Sequence, residues 1–479
     1  MAKVLMVASE AVPFVKTGGL ADMVGGLASA LASAGEEVAV VLPKYREART
    51  AGAERIFYEM PVWLGSARFP VSIDGIRHQG VQYYFVDCPV LYGREGVYNE
   101  KNVDYPDNHV RFGALCQAAL GIVRYLYRPQ ILHCHDWQAS LAAAYARHLF
   151  SGDPTFFDLR LLLTIHNLGY QGLFPHAALP EIGLPESAFH PDALEFFGQI
   201  NCLKGGIVWS DAINAVSPTY AKEIQTPEYG FGLDGVLRSR SDRLFGILNG
   251  VDYSEWSPEC DRYLARRYSA ADLEGKRASK QTLLEIFGLS PAGIDRPLIG
   301  IVSRFADQKG FDLVAEIQDE LMAEDVGFAV LGSGDPRYET MFQELALLYP
   351  DRVGVRIGYD NALAHRIEAG ADIFLMPSRY EPCGLNQMYS LRYGTPPVVR
   401  ATGGLDDTID EDTGFKFKEY SARALMTAIR EALEAYRNTG EWRARMRRGM
   451  EKDFSWSVAA SHYSELYRRI GARRVALHP

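Results

Sequence analysis

Short apolar runs rich in β-branched residues recur along almost the whole chain, spaced by helix-length segments. They are KVLMVAS, EVAVVLP, VQYYFVDC, ILHCH, LRLLLTIHN and AINAVS in the first half, and LIGIVSR, GFAVLGSG, RVGVRIG, DIFLMPS and PPVVRA in the second. A strand with one face in water alternates apolar and polar residues. These runs do not, so they read as parallel strands covered on both faces by helices. Strand and helix in alternation predict an α/β protein with doubly wound, Rossmann-like sheets. One stretch differs: FPVSIDGIRHQGVQYYFV reads as two runs hinged at Asp74-Gly75, a hairpin signal.

With 479 residues the chain is long enough for two or three domains. The turn residues of GILNGVDYSEWSPECD (246–261) mark a boundary before a fresh strand at Leu298. The expected domains are 1–250 and 251–455. The final stretch, 456–479, is expected to pack back on the first domain, because Trp456, Ala459, Tyr463, Leu466, Tyr467 and Ile470 recur at three- and four-residue steps.

The net charge of −10 argues against non-specific binding to nucleic acid or anionic membrane, so an anionic ligand would need local cations. No apolar run reaches the length of a membrane span. The six cysteines are scattered without a CxxC pair, which reads as reduced thiols. Met1-Ala2-Lys3 leads directly into a strand, so no signal or transit segment is expected, and the expected location is cytoplasmic.

Several strand-end segments carry candidate chemistry. Lys16-Thr17-Gly18-Gly19 opens a helix pattern, where glycines admit a ligand to the backbone and free N–H groups face an anion. Its order is neither GxGxxG nor a P-loop. Arg304 and Lys309 lie at the end of LIGIVSR, where doubly wound sheets bind ligands, and two cations there suit a diphosphate. Glu381-Pro382-Cys383-Gly384-Leu385 sets a carboxylate and helix-start amides after DIFLMPS. Asp136 and His166 end two buried-type strands. The dense His133-Cys134-His135 is not read as a metal site, because along a strand His133 and His135 share a face, Cys134 takes the other, and no further ligand set follows. Tyr359 follows RVGVRIG and suits either base stacking or packing. Each segment also has a plain structural reading: a Gly-rich turn, a surface ion pair, a helix-start carboxylate, a packed Cys383, a satisfied strand-end histidine.

Taken in order, KTGGLADMVGGL, DYPDN, HCHDWQAS, TIHNLGYQGLF, AINAVSPTYAKEI, GILNGVD, VSRFADQKG, LGSGDP, PSRYEPCGLNQ and RATGGLDDT resemble the bacterial glycogen synthase family, shared with plant starch synthase, over nearly the whole chain. The resemblance implies a GT-B type fold, with two Rossmann-like domains facing across a deep cleft and the C-terminal helix returning to the first. It implies retaining transfer of glucose from ADP-glucose to the non-reducing end of an α-1,4-glucan such as glycogen, with no cofactor and no metal at the diphosphate. Lys16, Gly18 and Gly19 would contact the donor. Arg304, Lys309 and the Gly384 and Leu385 amides would neutralise the diphosphate, beside Cys383. Glu381 would bind sugar hydroxyls as the family's key carboxylate. Asp136, His166 and Asn249 would surround the glucosyl unit, with backbone contacts from Thr402-Gly403-Gly404, and Tyr359 would stack on the adenine.

Many wider relatives carry a second glutamate eight residues after the first; here that position is Tyr389, as in the glycogen synthase branch. No nucleophile is evident, and the His166 carbonyl is one candidate for electrostatic help, so double displacement and same-face substitution both stay open. The alternatives are another retaining glucosyltransferase using UDP-glucose and a small acceptor, an NAD-dependent oxidoreductase, disfavoured by the missing GxGxxG, and a non-catalytic glucan binder.

Overall fold

The computed structural model describes residues 1–101 and 103–472. The chain forms two compact units. Unit one comprises residues 1–216, 221–250 and the segment from Trp456; unit two comprises residues 217–220 and 251–455. Positions 473–479 of the expected returning segment lie outside the described residues.

Within the described residues unit one is built on a nine-stranded sheet. In spatial order its strands are Leu244–Gly246, Ala212–Ala215, Arg160–Ile165, Ile131–His135, Lys3–Val7, Glu37–Pro43, Val81–Asp87, Ala67–His78 and Glu54–Leu64. All neighbours are parallel except the two pairings made by Ala67–His78. The chain leaves Lys3–Val7 toward one edge and later returns to its other side at Ile131–His135. Strand order reverses between these two neighbours, and open α/β sheets bind ligands outside the strand ends at such a point.

The hairpin expectation at Asp74-Gly75 is corrected: the strand Ala67–His78 runs straight through both residues. Asp74 is locked in the sheet by Lys44 and Arg55. A Cβ on Gly75 would lie 2.9 Å from Ile56 Cδ1, the far end of a flexible side chain on the neighbouring strand. The turn falls at Gln79-Gly80, with φ of +46° and +81°, a backbone that suits two-residue hairpins.

The helix Trp456–Ala472 buries Ala459, Ala460, Tyr463, Leu466, Tyr467 and Ile470 in the core of unit one. Its register is fixed by polar contacts as well. The Tyr467 hydroxyl is 2.9 Å from His133 Nδ1, and Asn214 Nδ2 donates to the Tyr463 hydroxyl at 2.8 Å. His133 Nε2 meets Thr164 Oγ1 at 2.7 Å, and burial holds this imidazole neutral, lowering its pKa to about 3. His133 is therefore a satisfied core residue. Cys134 is also buried, its thiol pushed up to about 12 by desolvation.

Unit two has a six-stranded parallel sheet in the order Val353–Ile357, Gly327–Gly334, Leu298–Phe305, Ile373–Met376, Pro397–Arg400 and Phe415–Phe417. Both faces are covered. Ile299, Ile301, Ile373 and Leu375 enter one core with Phe311, Ile317 and Ile429, while Leu298, Phe374 and Met376 enter another with Leu283, Leu363 and Ile367. This two-sided burial is why the runs carry no polar alternation. Strand order reverses here between Leu298–Phe305 and Ile373–Met376.

Candidate active site

In unit two the loops leaving the two switch-point strands line one cavity of about 160 Å³. Ser303 and Arg304 come from the C-terminal end of the first strand and Lys309 from the turn after it, while Pro377, Ser378, Glu381, Gly384, Leu385 and Asn386 come from the segment after the second. Lys309 Nζ donates to Glu381 Oε2 at 2.6 Å, and Ser378 Oγ donates to the same oxygen at 3.0 Å. Glu381 is only 6% exposed, whereas Arg304 is exposed. The loops are locked together at Gly310, whose φ is +74° and where a Cβ would lie 2.0 Å from the Pro377 carbonyl oxygen. The structure thus brings together Arg304, Lys309, Glu381, Gly384 and Leu385, with Cys383 buried behind them.

The Thr402-Gly403-Gly404 turn packs against this segment from inside. Gly404 N–H is donated to the carbonyls of Glu381 and Pro382 at 3.1 and 3.2 Å. A Cβ on Gly403 would sit 2.0 Å from the Glu381 carbonyl oxygen, and one on Gly404 2.0 Å from that of Cys383. These glycines therefore let the turn hold the backbone of Glu381. Tyr389 is buried against Trp256, with ring centroids 4.0 Å apart and planes within 2°. Tyr359 stands at the end of Val353–Ile357, 82% exposed.

In unit one the Lys16-Thr17-Gly18-Gly19 loop leads from the first switch-point strand to the helix Gly19–Ser33. Here a Cβ on Gly18 or Gly19 would meet nothing within 4 Å, so no packing inside the protein demands either glycine. The loop is shaped by Glu10, a residue that the sequence reading missed. Glu10 is 3% exposed, and its carboxylate accepts hydrogen bonds from the Thr17 amide and hydroxyl, the Gly18 amide and the Tyr98 hydroxyl. The Gly18 N–H is thus engaged within the protein. Lys16 Nζ pairs with Asp22 Oδ1 at 2.8 Å in an exposed bridge.

Asp136 follows the second switch-point strand with φ +55°, a left-handed backbone that Asp tolerates better than most residues. It aims Oδ1 at the His166 backbone N–H, 2.7 Å away. Desolvation pushes the Asp136 carboxyl up to about 7, against the opposing pull of the His166 and Asn167 amides. His166 is held neutral by desolvation, its pKa lowered to about 3. His166 Nε2 lies 3.1 Å from His135 Nδ1, and His135 Nε2 is buried without a partner. An orphaned buried N–H costs more than an orphaned lone pair, so His135 donates from Nδ1 and His166 keeps its proton on Nδ1. The Asn249 amide oxygen is also buried without a hydrogen-bond partner. Among the described residues no group of three or more His, Cys, Asp or Glu is arranged to hold a metal ion.

The raised Asp136 pKa gives a pH prediction. Folding favours the protonated acid, so its contribution to stability is full below the ordinary carboxylate range and is lost as pH rises through about 7. Asp136→Asn, neutral at every pH and also tolerant of positive φ, is expected to melt higher than the parent at pH 8, with the difference shrinking as pH falls toward 5. Thermal melts across that range check it; a pH-independent difference would contradict it.

The family profile described as Starch synthase catalytic domain matches residues 3–239, and that described as Glycosyl transferases group 1 matches residues 290–453. The glycogen synthase of Koribacter versatilis (strain Ellin345) is 50% identical over 470 residues, covering 96% of this chain and 97% of that protein. The glycogen synthase of Anaeromyxobacter dehalogenans (strain 2CP-C) is 48% identical over 483 residues, covering 98% and 99%. The solved catalytic domain of starch synthase IV from Arabidopsis thaliana, bound to ADP and acarbose, superposes with a TM-score of 0.89 at 32% identity, covering 98% of this chain and all of that one. Sucrose-phosphate synthase from Thermosynechococcus elongatus shares the fold, with a TM-score of 0.61 at 18% identity. Two doubly wound units, family profiles that match both of them, and 48–50% identity to the two glycogen synthases over nearly the full length agree: the chain belongs to the glycogen and starch synthase family of retaining glycosyltransferases.

Proposed function

We propose that the protein transfers glucose from ADP-glucose to the non-reducing end of an α-1,4-glucan, with retention, releasing ADP. The observation that carries this reading is the cluster of Arg304, Lys309, Glu381 and the Gly384–Leu385 backbone at one switch point. As the bond from glucose C1 to the diphosphate breaks, negative charge grows on the leaving oxygens, and fixed cations with oriented amides stabilise it. The C1 centre turns oxocarbenium-like, which favours nearby carbonyl or carboxylate oxygens. The acceptor hydroxyl bonds to C1, and its proton leaves with the ADP.

Arg304 and Lys309 take the diphosphate in this assignment. Glu381 takes sugar hydroxyls while oriented by Lys309 and Ser378. Asp136 orders the backbone of His166, whose carbonyl is available to C1. Asn249 offers its unpartnered amide oxygen to the sugar, and Tyr359 stacks on the adenine. Lys16 reaches the donor by exchanging Asp22 for phosphate, beside glycines that leave space at the backbone. The scattered free cysteines fit a reducing cytoplasm, and no helix among the described residues is long and apolar enough to cross a membrane.

Incorporation of labelled glucose into glycogen tests the reading: ADP-glucose is expected to support it well above UDP-glucose, and failure of both donors would contradict it. Lys16→Ala is expected to raise the KM for ADP-glucose about tenfold, the cost of one charge-assisted contact, with the KM for glycogen unchanged. A defect confined to glycogen would refute the donor role of Lys16.

A further inference from the structure

Three loops of unit one converge on a patch that the roles above leave unused. The first follows His166 and carries Tyr170, which is 58% exposed. The second is the hairpin between Glu195–Phe196 and Gln199–Asn201, with Phe197 and Gly198 at its tip. The third carries Phe231. Gln171 ties them together: its Nε2 donates to the Phe231 carbonyl at 3.1 Å, and its Oε1 accepts from Asn201 Nδ2 at 2.6 Å. A Cβ on Gly232 would lie 2.9 Å from Phe196 Cζ and 3.5 Å from Phe197 Cε2, so the second and third loops touch.

Phe197 and Phe231 both hold left-handed backbone, with φ of +50° and +47°. Bulky side chains rarely adopt it, and glycine or asparagine would serve a hairpin tip better. The usual compensation, a buried ring, is missing for Phe197, which is 84% exposed; Phe231 is 40% exposed. Phe197 meets Phe196 edge-on, with ring centroids 4.7 Å apart. Backbone strain held at exposed positions collects at ligand sites.

We propose that Tyr170, Phe197 and Phe231 form an acceptor subsite that takes the α-1,4-glucan chain behind its reacting end. The inference rests on the transferase reading above and names an element of its acceptor side. A glucan is neutral, and the faces of its sugar rings present C–H groups that pack on aromatic rings. The three side chains offer aromatic surface without charge, which suits such a polymer and not a phosphate. Tyr170 lies four residues after His166, so at most about 14 Å of chain separates platform and proposed sugar site.

Phe197→Ala and Phe197→Gly, assayed with ADP-glucose and either glycogen or a short maltooligosaccharide, test it. Both variants are expected to raise the KM for glycogen about tenfold, the loss of one stacking contact, and to erase the advantage of long over short acceptors. The KM for ADP-glucose should not move, and Phe197→Tyr should keep parental behaviour. Phe197→Gly relieves the backbone, so its melting temperature should equal or exceed that of the parent, which separates lost binding from lost folding. Retardation in glycogen-containing gels gives the same comparison without turnover. Unchanged glycogen KM and retardation in an active protein would overturn the subsite alone. So would a change of oligomeric state by light scattering, which would assign the patch to a second copy. An inactive parent would overturn the transferase reading, and the subsite with it.

Discussion

Glu381→Ala is expected to lower the turnover number for glucosyl transfer on the order of a thousandfold, while its melting temperature stays within a few degrees of the parent. Glu381 is among the most tightly positioned carboxylates of unit two. Its side chain accepts from Lys309 and Ser378, and its carbonyl accepts from Gly404, whose turn reaches it only because residue 403 has no Cβ. A buried carboxylate held from both sides at a cavity wall is arranged to meet a ligand, since bulk stability does not require burying a charge. In the proposed assignment its removal takes away a preorganised acceptor at the reacting sugar, so kcat should fall far more than the KM for ADP-glucose rises. Lys309 stays partly solvated, so the vacated partner is tolerated. Steady-state kinetics with circular dichroism read both effects, and near-normal turnover in a folded variant would contradict the role given to Glu381.

Lys309→Ala is expected to cost a hundredfold to a thousandfold in kcat, in the range found when one stabilising donor is removed from a developing anion. The leaving diphosphate carries more charge in the transition state than in the bound donor, so the loss should fall on kcat before donor KM. ADP should also become a weaker product inhibitor, because it carries the full charge. Arg304 remains in the variant and accounts for residual activity. Lys309→Arg is expected to recover little, since the larger guanidinium does not fit where the ammonium bonds Glu381 at 2.6 Å. Unchanged kcat together with unchanged ADP inhibition would refute this assignment.

Much of this architecture is legible in the residues. Each apolar run read as a parallel strand is a strand with a parallel neighbour, and Val81–Asp87 also pairs antiparallel with Ala67–His78; burial on both faces leaves a signature that needs no tertiary knowledge, an unbroken apolar sequence such as EVAVVLP. Antiparallel elements were harder. Asp74-Gly75 has the composition of a turn, but long-range ion pairs from Lys44 and Arg55 hold Asp74 in mid-strand. Local chemistry cannot reveal partners that lie 30 and 19 residues away.

The candidate site divides in the same way. Arg304, Lys309 and Glu381 stand out in sequence because polar residues follow apolar runs. That they share a cavity depends on sheet order, which no single segment encodes. Glu10 was invisible: a lone glutamate after KVLMVAS gives no hint that four donors converge on it. The two TGGL turns look alike as text and differ physically. Gly18 and Gly19 face open space, whereas Gly403 and Gly404 press on the backbone of Glu381 and Cys383.

The most direct test is a crystal structure of the protein with ADP, grown without divalent cations. The account predicts diphosphate oxygens within hydrogen-bonding distance of Arg304 and Lys309, and of the Gly384 and Leu385 amides. A diphosphate bound away from Arg304 and Lys309, or ordered by a cation on surface carboxylates, would contradict it.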